Sequence, residues 1–368
     1  MEQDIDPIRP IFERYNWDYD TYLLLVKYNA FDCVFPINVE SPKFGGIHIK
    51  QWGRFGNSII QLSNIAAIAL KYVIPVIYFE DQHPFFDVAR LTETTGVPFI
   101  HRTRHAFDAT DGIILSGLFH FDIPYKLFKG SERQTILDGH ISRLLPDEFA
   151  RGHRLLNDKT ITMHFRAGDI FASETTPSWY GQPPLAYYKF ILDHSSAEKV
   201  VIVYEDTGNP TVQAFASHVR SVGREVVLQS ADLRSDLAVL FNSAELVSSM
   251  GTFVWAVSTI SKRLKDFWFL ERMHDQCLFA RSDISISGIH DELGDYTRAV
   301  LSANWAKTPE QLGLMLDYPT SALKMTRGQV AAARSLSSFN ELLEDTTRSL
   351  LGDSGMDVAS ILRKLQRS

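Results

Sequence analysis

The chain has 368 residues, 45% of them hydrophobic and 22% charged, with a formal net charge of −7. That length exceeds what one compact core holds and suits two domains of ordinary size, and the composition excludes a disordered chain. A global basic field for nucleic acid is excluded, although a local basic pocket is compatible with the balance.

Cys33 and Cys277 are the only cysteines. Two distant cysteines do not make a disulfide framework or a four-cysteine zinc site, and they fit a reducing, cytoplasmic setting. The acidic start Met1-Glu2-Gln3-Asp4 has no apolar h-region, so no signal peptide is expected. No apolar run reaches the roughly 20 residues needed to span a bilayer. The longest candidate, Ile59 to Phe79, is broken by Gln61, Ser63, Asn64, Lys71 and Pro75. Membrane contact is expected to be peripheral at most.

In chain order, Pro10 to Tyr28 places Ile11, Tyr15, Tyr19, Tyr22, Leu23 and Val26 at amphipathic-helix spacing. The Asp18-Tyr19-Asp20 triplet has the Asp-x-Asp form that holds Mg²⁺ or Mn²⁺ in metal-dependent sugar transferases. No apolar strand precedes it here, so it reads as a solvated helix face. Gly45 to Trp52 predicts a strand. The glycine-bracketed turn Gly53-Arg54-Phe55-Gly56-Asn57 leads into a helix over Ser58 to Val73. Such a turn either lets backbone N–H groups approach an anionic or hydroxyl-rich ligand, or makes a tight turn with Asn57 as the cap. Ile74 to Phe79 and Ile113 to Gly117 predict strands, Leu118 to Lys126 an aromatic loop, and Asp138 to Asp158 a helix and connector.

A short apolar run, Thr160 to Phe165, predicts a buried strand. It delivers His164, Arg166 and Asp169 around the turn at Gly168, a pattern suited to holding an anion at the carboxyl end of a strand. A long loop with Glu174, Trp179 and Tyr180 follows, then a helix over Leu185 to Asp193 behind Pro183-Pro184. Lys199 to Tyr204 predicts a strand ending in Glu205-Asp206. Helix Val212 to Val222, strand Glu225 to Leu228, helix Asp232 to Ser243 and strand Ala244 to Ser249 complete the alternation. A second glycine turn, Met250-Gly251-Thr252, opens a helix from Phe253 to Leu264. Alternating strands and helices predict α/β architecture with doubly wound parallel sheets, in which ligands bind at the carboxyl edge. Beyond residue 265, Phe267 to Leu270 is apolar and packed, Gly294 to Gly328 reads as irregular, and Phe339 to Leu351 and Val358 to Leu365 read as polar-faced helices. The expected division is residues 1–150, residues 151–290, and a helical tail at 291–368. That tail offers a route to homo-oligomerisation or peripheral membrane contact.

Three separated motifs resemble those shared by the α1,2- and α1,6-fucosyltransferases and the protein O-fucosyltransferases. Gly53-Arg54-Phe55-Gly56-Asn57 resembles their N-terminal glycine motif. His164-Phe165-Arg166-Ala167-Gly168-Asp169 resembles their His-x-Arg-Arg-Gly-Asp motif. Ser248-Ser249-Met250-Gly251-Thr252-Phe253-Val254-Trp255 resembles their third motif, and Tyr204-Glu205-Asp206 fits the intermediate acidic one. The resemblance covers about residues 45 to 265. It implies a GT-B fold, with two Rossmann-like domains facing across a cleft, the acceptor side N-terminal and the donor nucleotide C-terminal. It also implies inverting, metal-independent transfer, usually of fucose from GDP-fucose, to a glycan acceptor. Ala167 stands where the family usually has a second arginine, and Ala256 where many members have a second tryptophan. The first departure keeps rhamnosyl, xylosyl and other nucleotide sugars open as donors, as well as a non-catalytic nucleotide- or glycan-binding module.

An inverting displacement builds negative charge on the departing diphosphate, which fixed cations and oriented N–H groups stabilise. Arg166 supplies a planar, permanently charged fork for that role. Candidate catalytic residues are therefore Arg166, with Asp169 in support, and Asn57. Candidate donor-binding residues are Arg54, His164, Glu205, Asp206, Ser249, Gly251, Thr252 and Phe253. The resemblance places Arg54 and Asn57 by the acceptor and the reacting sugar. The base that deprotonates the acceptor is left among Glu174, Asp169, Glu80 and Asp81. No metal ligand set and no nucleic-acid surface is expected.

Overall fold

In the computed structural model, which describes residues 32–34, 44–72, 74–103, 106–107, 113–117, 119, 130–172, 176–178, 181–271, 281 and 283–327, the apolar runs assemble into two principal sheets. The first holds β1 (Asp32–Val34), β2 (Phe44–Ile49), β3 (Ile77–Phe79), β4 (Phe99–His101) and β5 (Ile113–Gly117), in the order β1-β5-β2-β3-β4. Within it β5, β2, β3 and β4 run parallel, and β1 pairs antiparallel with β5 at the edge.

The second sheet is built from β6 (Thr160–Phe165), β8 (Lys199–Tyr204), β9 (Glu225–Gln229), β10 (Glu245–Val247), β11 (Asp266–Leu270), β12 (Ser285–Asp291) and β14 (Leu323–Arg327). Its order is β14-β12-β11-β10-β6-β8-β9, parallel throughout except for β14, which pairs antiparallel with β12. The short strands β7 (Thr176–Ser178) and β13 (Asn304–Trp305) pair with each other. Every residue of β6 is buried, as expected of a central parallel strand covered on both faces.

Strand order positions the site. In the second sheet the chain leaves β6 toward β8 and β9, then returns to lay β10, β11 and β12 on the other side of β6. The order therefore reverses between β6 and β10, and at such a switch point the two outgoing loops diverge and open a crevice beyond the carboxyl ends. The first sheet reverses between β2 and β5 in the same way.

Helices α1 (Phe55–Tyr72), α2 (Leu91–Thr95), α3 (Gly130–Gly139), α4 (Asp169–Ala172), α5 (Leu185–His194), α6 (Pro210–Ser221), α7 (Leu233–Phe241), α8 (Thr252–Ile260) and α9 (Pro309–Asp317) connect or cover these strands. One hydrophobic cluster joins α1 and α8 to both sheets, from Ile47 and Ile77 to Val203, Leu246 and Phe267. The two halves are thus held by a shared apolar core. Two polar residues inside α1, Gln61 and Asn64, are buried and bonded to main chain. Gln61 donates to Gln51 O (2.7 Å) and accepts from Phe119 N–H (2.8 Å), and Asn64 donates to Phe119 O (2.6 Å). None of the helices among the described residues is long and apolar enough to cross a membrane.

Several expectations need correcting. Helix α1 begins at Phe55, so Asn57 lies in its first turn instead of capping it. Gly53, at φ 70°, already turns the chain, and Ser58 N–H bonds back to Arg54 O (2.9 Å). Residues 291–327 belong to the second sheet and its cover, not to a helical tail. The boundary at 290 falls inside β12, the stretch read as irregular carries α9 and β14, and Tyr296, Val300, Leu301, Trp305 and Leu323 join the core of this half. The local signal there is weak because β12 sets only Ile286 and Ile289 among Ser, Gly, His and Asp, and β14 spans only five residues. Pro10 to Tyr28, Asp18 to Asp20, Glu174, and the two helices proposed after residue 338 lie outside the described residues.

Candidate functional site

Strand β6 ends at Phe165, and a three-residue turn, Arg166-Ala167-Gly168, carries the chain into α4. Gly168 sits at φ 57°, a conformation that glycine adopts without steric cost. A methyl group there would also lie 2.0 Å from Glu205 Oε2, so the Glu205 carboxylate packs directly on the turn. Ala167 is fully buried, so that position contributes packing and no charge to the site.

Across the switch point, β10 runs into Ser248-Ser249-Met250-Gly251 and then α8. Gly251 is the N-cap of α8 at φ 103°, and no side chain caps this helix end. A methyl group on Gly251 would sit 2.6 Å from Arg166 Nη1. The guanidinium therefore lies against the bare backbone at the start of α8. A permanent cation and a helix N-terminus, whose dipole favours negative charge, share one spot.

Beneath it, His164 is buried, its Nδ1 2.6 Å from Ser249 Oγ and its ring centroid 5.2 Å from that of Phe253. Burial, reinforced by the neighbouring Arg166 charge, pushes its pKa down to about 3, so the ring is neutral at ordinary pH. Tyr188 Oη donates to His164 O (3.2 Å), and Tyr187 Oη donates to Ser248 O (2.9 Å). Two buried tyrosines of α5 thus brace the ends of β6 and β10 from below.

The first half meets this site at α1. Thr252 Oγ1 donates to Asn57 Oδ1 (2.9 Å), and a methyl group at Gly56 would lie 2.5 Å from Thr252 Oγ1. Glycine at 56 is what lets the first turn of α1 touch the first turn of α8. The rings of Phe55 and Phe253 pack edge to face beside that contact, 5.7 Å apart. Below Phe55, His83 Nδ1 accepts the N–H groups of Phe85 and Phe86 (both 3.1 Å), and its Nε2 lies 2.9 Å from Ser58 Oγ. Burial lowers the His83 pKa to about 3.

The structure thus joins Arg166 to Gly251, Asn57 to Thr252, and His164 to Ser249 and Phe253. Arg54 is exposed just before α1. Asp169 opens α4, and its side chain lies outside the described part. Glu205 and Asp206 are exposed after β8, and both Asp206 oxygens receive main-chain donors: Gly168 N–H on Oδ2 (3.0 Å) and Gly208 N–H on Oδ1 (2.7 Å). At the carboxyl edge of the first sheet, Glu80 is half-buried with Oε2 3.9 Å from His48 Nε2, and Asp81 is exposed. Among the described residues, no group of three or more His, Cys, Asp or Glu is placed to hold a metal ion. Sequence reasoning missed Asn209, Tyr187, Tyr188 and His83. The helix expected from Val212 begins at Pro210 behind the cap Asn209, and nothing local signals the bond of Asn209 to Arg166.

No protein-family model matches the chain, and no curated protein matches it. Among solved structures it is similar to POFUT1 in complex with GDP, at 12% identity and a TM-score of 0.37, over 62% of this chain and 99% of that one. Two structures of POFUT1 in complex with GDP-fucose align at 13% identity, with TM-scores of 0.33 and 0.32, over 61% of this chain and 95% of theirs.

Proposed function

We propose that the crevice between β6 and β10 binds a nucleoside diphosphate sugar, and that the chain is an inverting, metal-independent glycosyltransferase moving the sugar to a glycan acceptor. Fucose from GDP-fucose is the first donor to test, on the motif resemblance. The observation that carries the reading is the packing of the Arg166 guanidinium on Gly251 at the uncapped start of α8. As the bond from the anomeric carbon to the diphosphate breaks, charge grows on the departing oxygens. Arg166 and the first N–H groups of α8 stabilise that charge without reorganising. His164, held neutral, adds no competing charge and fixes Ser249 at the base of the turn. The Asn57–Thr252 bond brings the first half to the same helix end, where an acceptor hydroxyl would approach. Glu80 and Asp81, at the carboxyl edge of the first sheet, remain the candidate bases there.

A thermal-shift series with GDP, UDP, dTDP and CMP tests the binding half. Stabilisation follows RT ln(1 + [L]/Kd), so a ligand at about 100 times its Kd adds about 2.7 kcal/mol. Selective stabilisation by GDP is expected, and the absence of a shift with any nucleotide refutes the reading. Release of free fucose from GDP-fucose separates a transferase from a binding module.

A further inference from the structure

We infer that Asn209 and Asp206 are positioning residues for Arg166, an assignment that rests on the reading of Arg166 as the diphosphate clamp. Asp206 was expected to contact the donor, and Asn209 had no assigned role. Both belong to the loop between β8 and α6, and both bond to the main chain of the arginine turn. Asn209 Nδ2 donates to Arg166 O (2.9 Å), and Asp206 Oδ2 accepts Gly168 N–H (3.0 Å).

These two bonds bracket Ala167. The Arg166 carbonyl belongs to the peptide plane before Ala167 and the Gly168 N–H to the plane after it. Because peptides are planar, fixing both planes fixes φ and ψ of Ala167, and with them the shape of the turn that carries Arg166. Ala167 is buried between them and adds no freedom. Asn209 is itself buried, at 1% exposure. Its Oδ1 accepts Thr211 N–H (3.0 Å) and Thr211 Oγ1–H (2.6 Å), capping α6. With Oδ1 assigned by those donors, the remaining amide nitrogen must face the Arg166 carbonyl. One side chain thus caps a helix with its oxygen and holds the arginine turn with its nitrogen. Asp206 does the corresponding work on the other side, its second oxygen tied to Gly208 N–H (2.7 Å). Gly168 N–H is therefore already taken by Asp206.

Asn209→Asp separates the two roles. Aspartate caps a helix as well as asparagine does, but it presents an oxygen, not a donor, to the Arg166 carbonyl. Calorimetric titration with GDP and with guanosine reads the outcome. For Asn209→Asp the expected result is a loss of GDP affinity of about tenfold, with guanosine affinity unchanged; the buried carboxylate lowers Tm, so the GDP-to-guanosine ratio is the readout. Asp206→Ala, at an exposed residue that does not threaten folding, is expected to shift the GDP-to-guanosine ratio in the same direction. The double variant Arg166→Ala/Asn209→Asp should bind GDP no worse than Arg166→Ala alone, because a positioning residue has nothing left to position. Additive losses, or equal losses for GDP and guanosine, overturn the inference. If Arg166→Ala itself leaves the ratio unchanged, the diphosphate-clamp reading falls and takes this inference with it.

Discussion

Lowering the pH from 7.5 to 5.5 is expected to destabilise the fold by about 2.7 kcal/mol through His83 and His164. Both are buried, and desolvation brings each pKa down to about 3. The unfolded chain, with histidines near 6.5, takes up protons in this window while the folded chain does not. Stability is therefore full above about pH 6.5 and is lost as the pH falls toward the folded value. Over these two units each histidine accounts for about 1.4 kcal/mol. The hydrogen bonds explain why the folded rings resist protonation. His83 Nδ1 accepts two backbone N–H groups, so a proton there would displace both. His164 lies beside Arg166, whose charge opposes a second cation. Burial also lowers His140, His153 and His218, which act in the same sense, whereas the raised carboxyls of Asp236 and Glu245 act oppositely. The informative quantity is therefore the difference between variant and parent. Urea denaturation followed by tryptophan fluorescence at both pH values, on the parent, His83→Asn and His164→Asn, measures it. Each variant should lose about 1.4 kcal/mol less stability on acidification than the parent. Variants that fall as steeply as the parent refute the assignment of buried, neutral imidazoles.

Arg166→Ala should cut sugar transfer by two orders of magnitude or more, about 3 kcal/mol in the transition state, with Tm little changed because the side chain lies at a strand end and only half-buried; retained turnover removes the clamp. Gly251→Ala meets a φ of 103° and Arg166 Nη1 at 2.6 Å, so it should cost about 1–3 kcal/mol of stability and weaken GDP binding. Gly313→Ala, inside α9 with nothing within 4 Å of the added methyl, should instead stabilise by about 0.5–1 kcal/mol; denaturation midpoints of the two variants test the contrast. With Arg166 and the α8 N-terminus in the proposed role of diphosphate clamp, EDTA should leave transfer rates unchanged; strict Mn²⁺ dependence in a rate assay refutes that mechanism.

Much of the second sheet was legible before any coordinates. The runs Thr160 to Phe165 and Lys199 to Tyr204 are apolar and β-branched enough to be buried parallel strands, and they form over those residues. The helix expected to end at Val222 does stop there, before Gly223 at φ 77°. What failed was local signal of low contrast. Helix α1 starts earlier than its apolar run suggests, because Gly53 fixes the turn and Phe55 packs inward. Strands β12 and β14 gave little signal because each carries only two large apolar residues, Ile286 and Ile289 in one and Leu323 and Met325 in the other.

The sequence by itself determined the α/β alternation, the glycine turns at strand ends, and the place of Arg166 just beyond a buried strand. These follow from short-range physics: periodicity, backbone freedom and side-chain charge. Which of those ends meet was decided only by strand order. Laying β10 beside β6 puts Gly251 against Arg166, and the shared core of α1 and α8 lets Asn57 and Thr252 bond across 195 positions of chain. The same packing gave Asp206 and Asn209 main-chain partners in the arginine turn. Such pairings depend on through-space packing that no local window of sequence encodes.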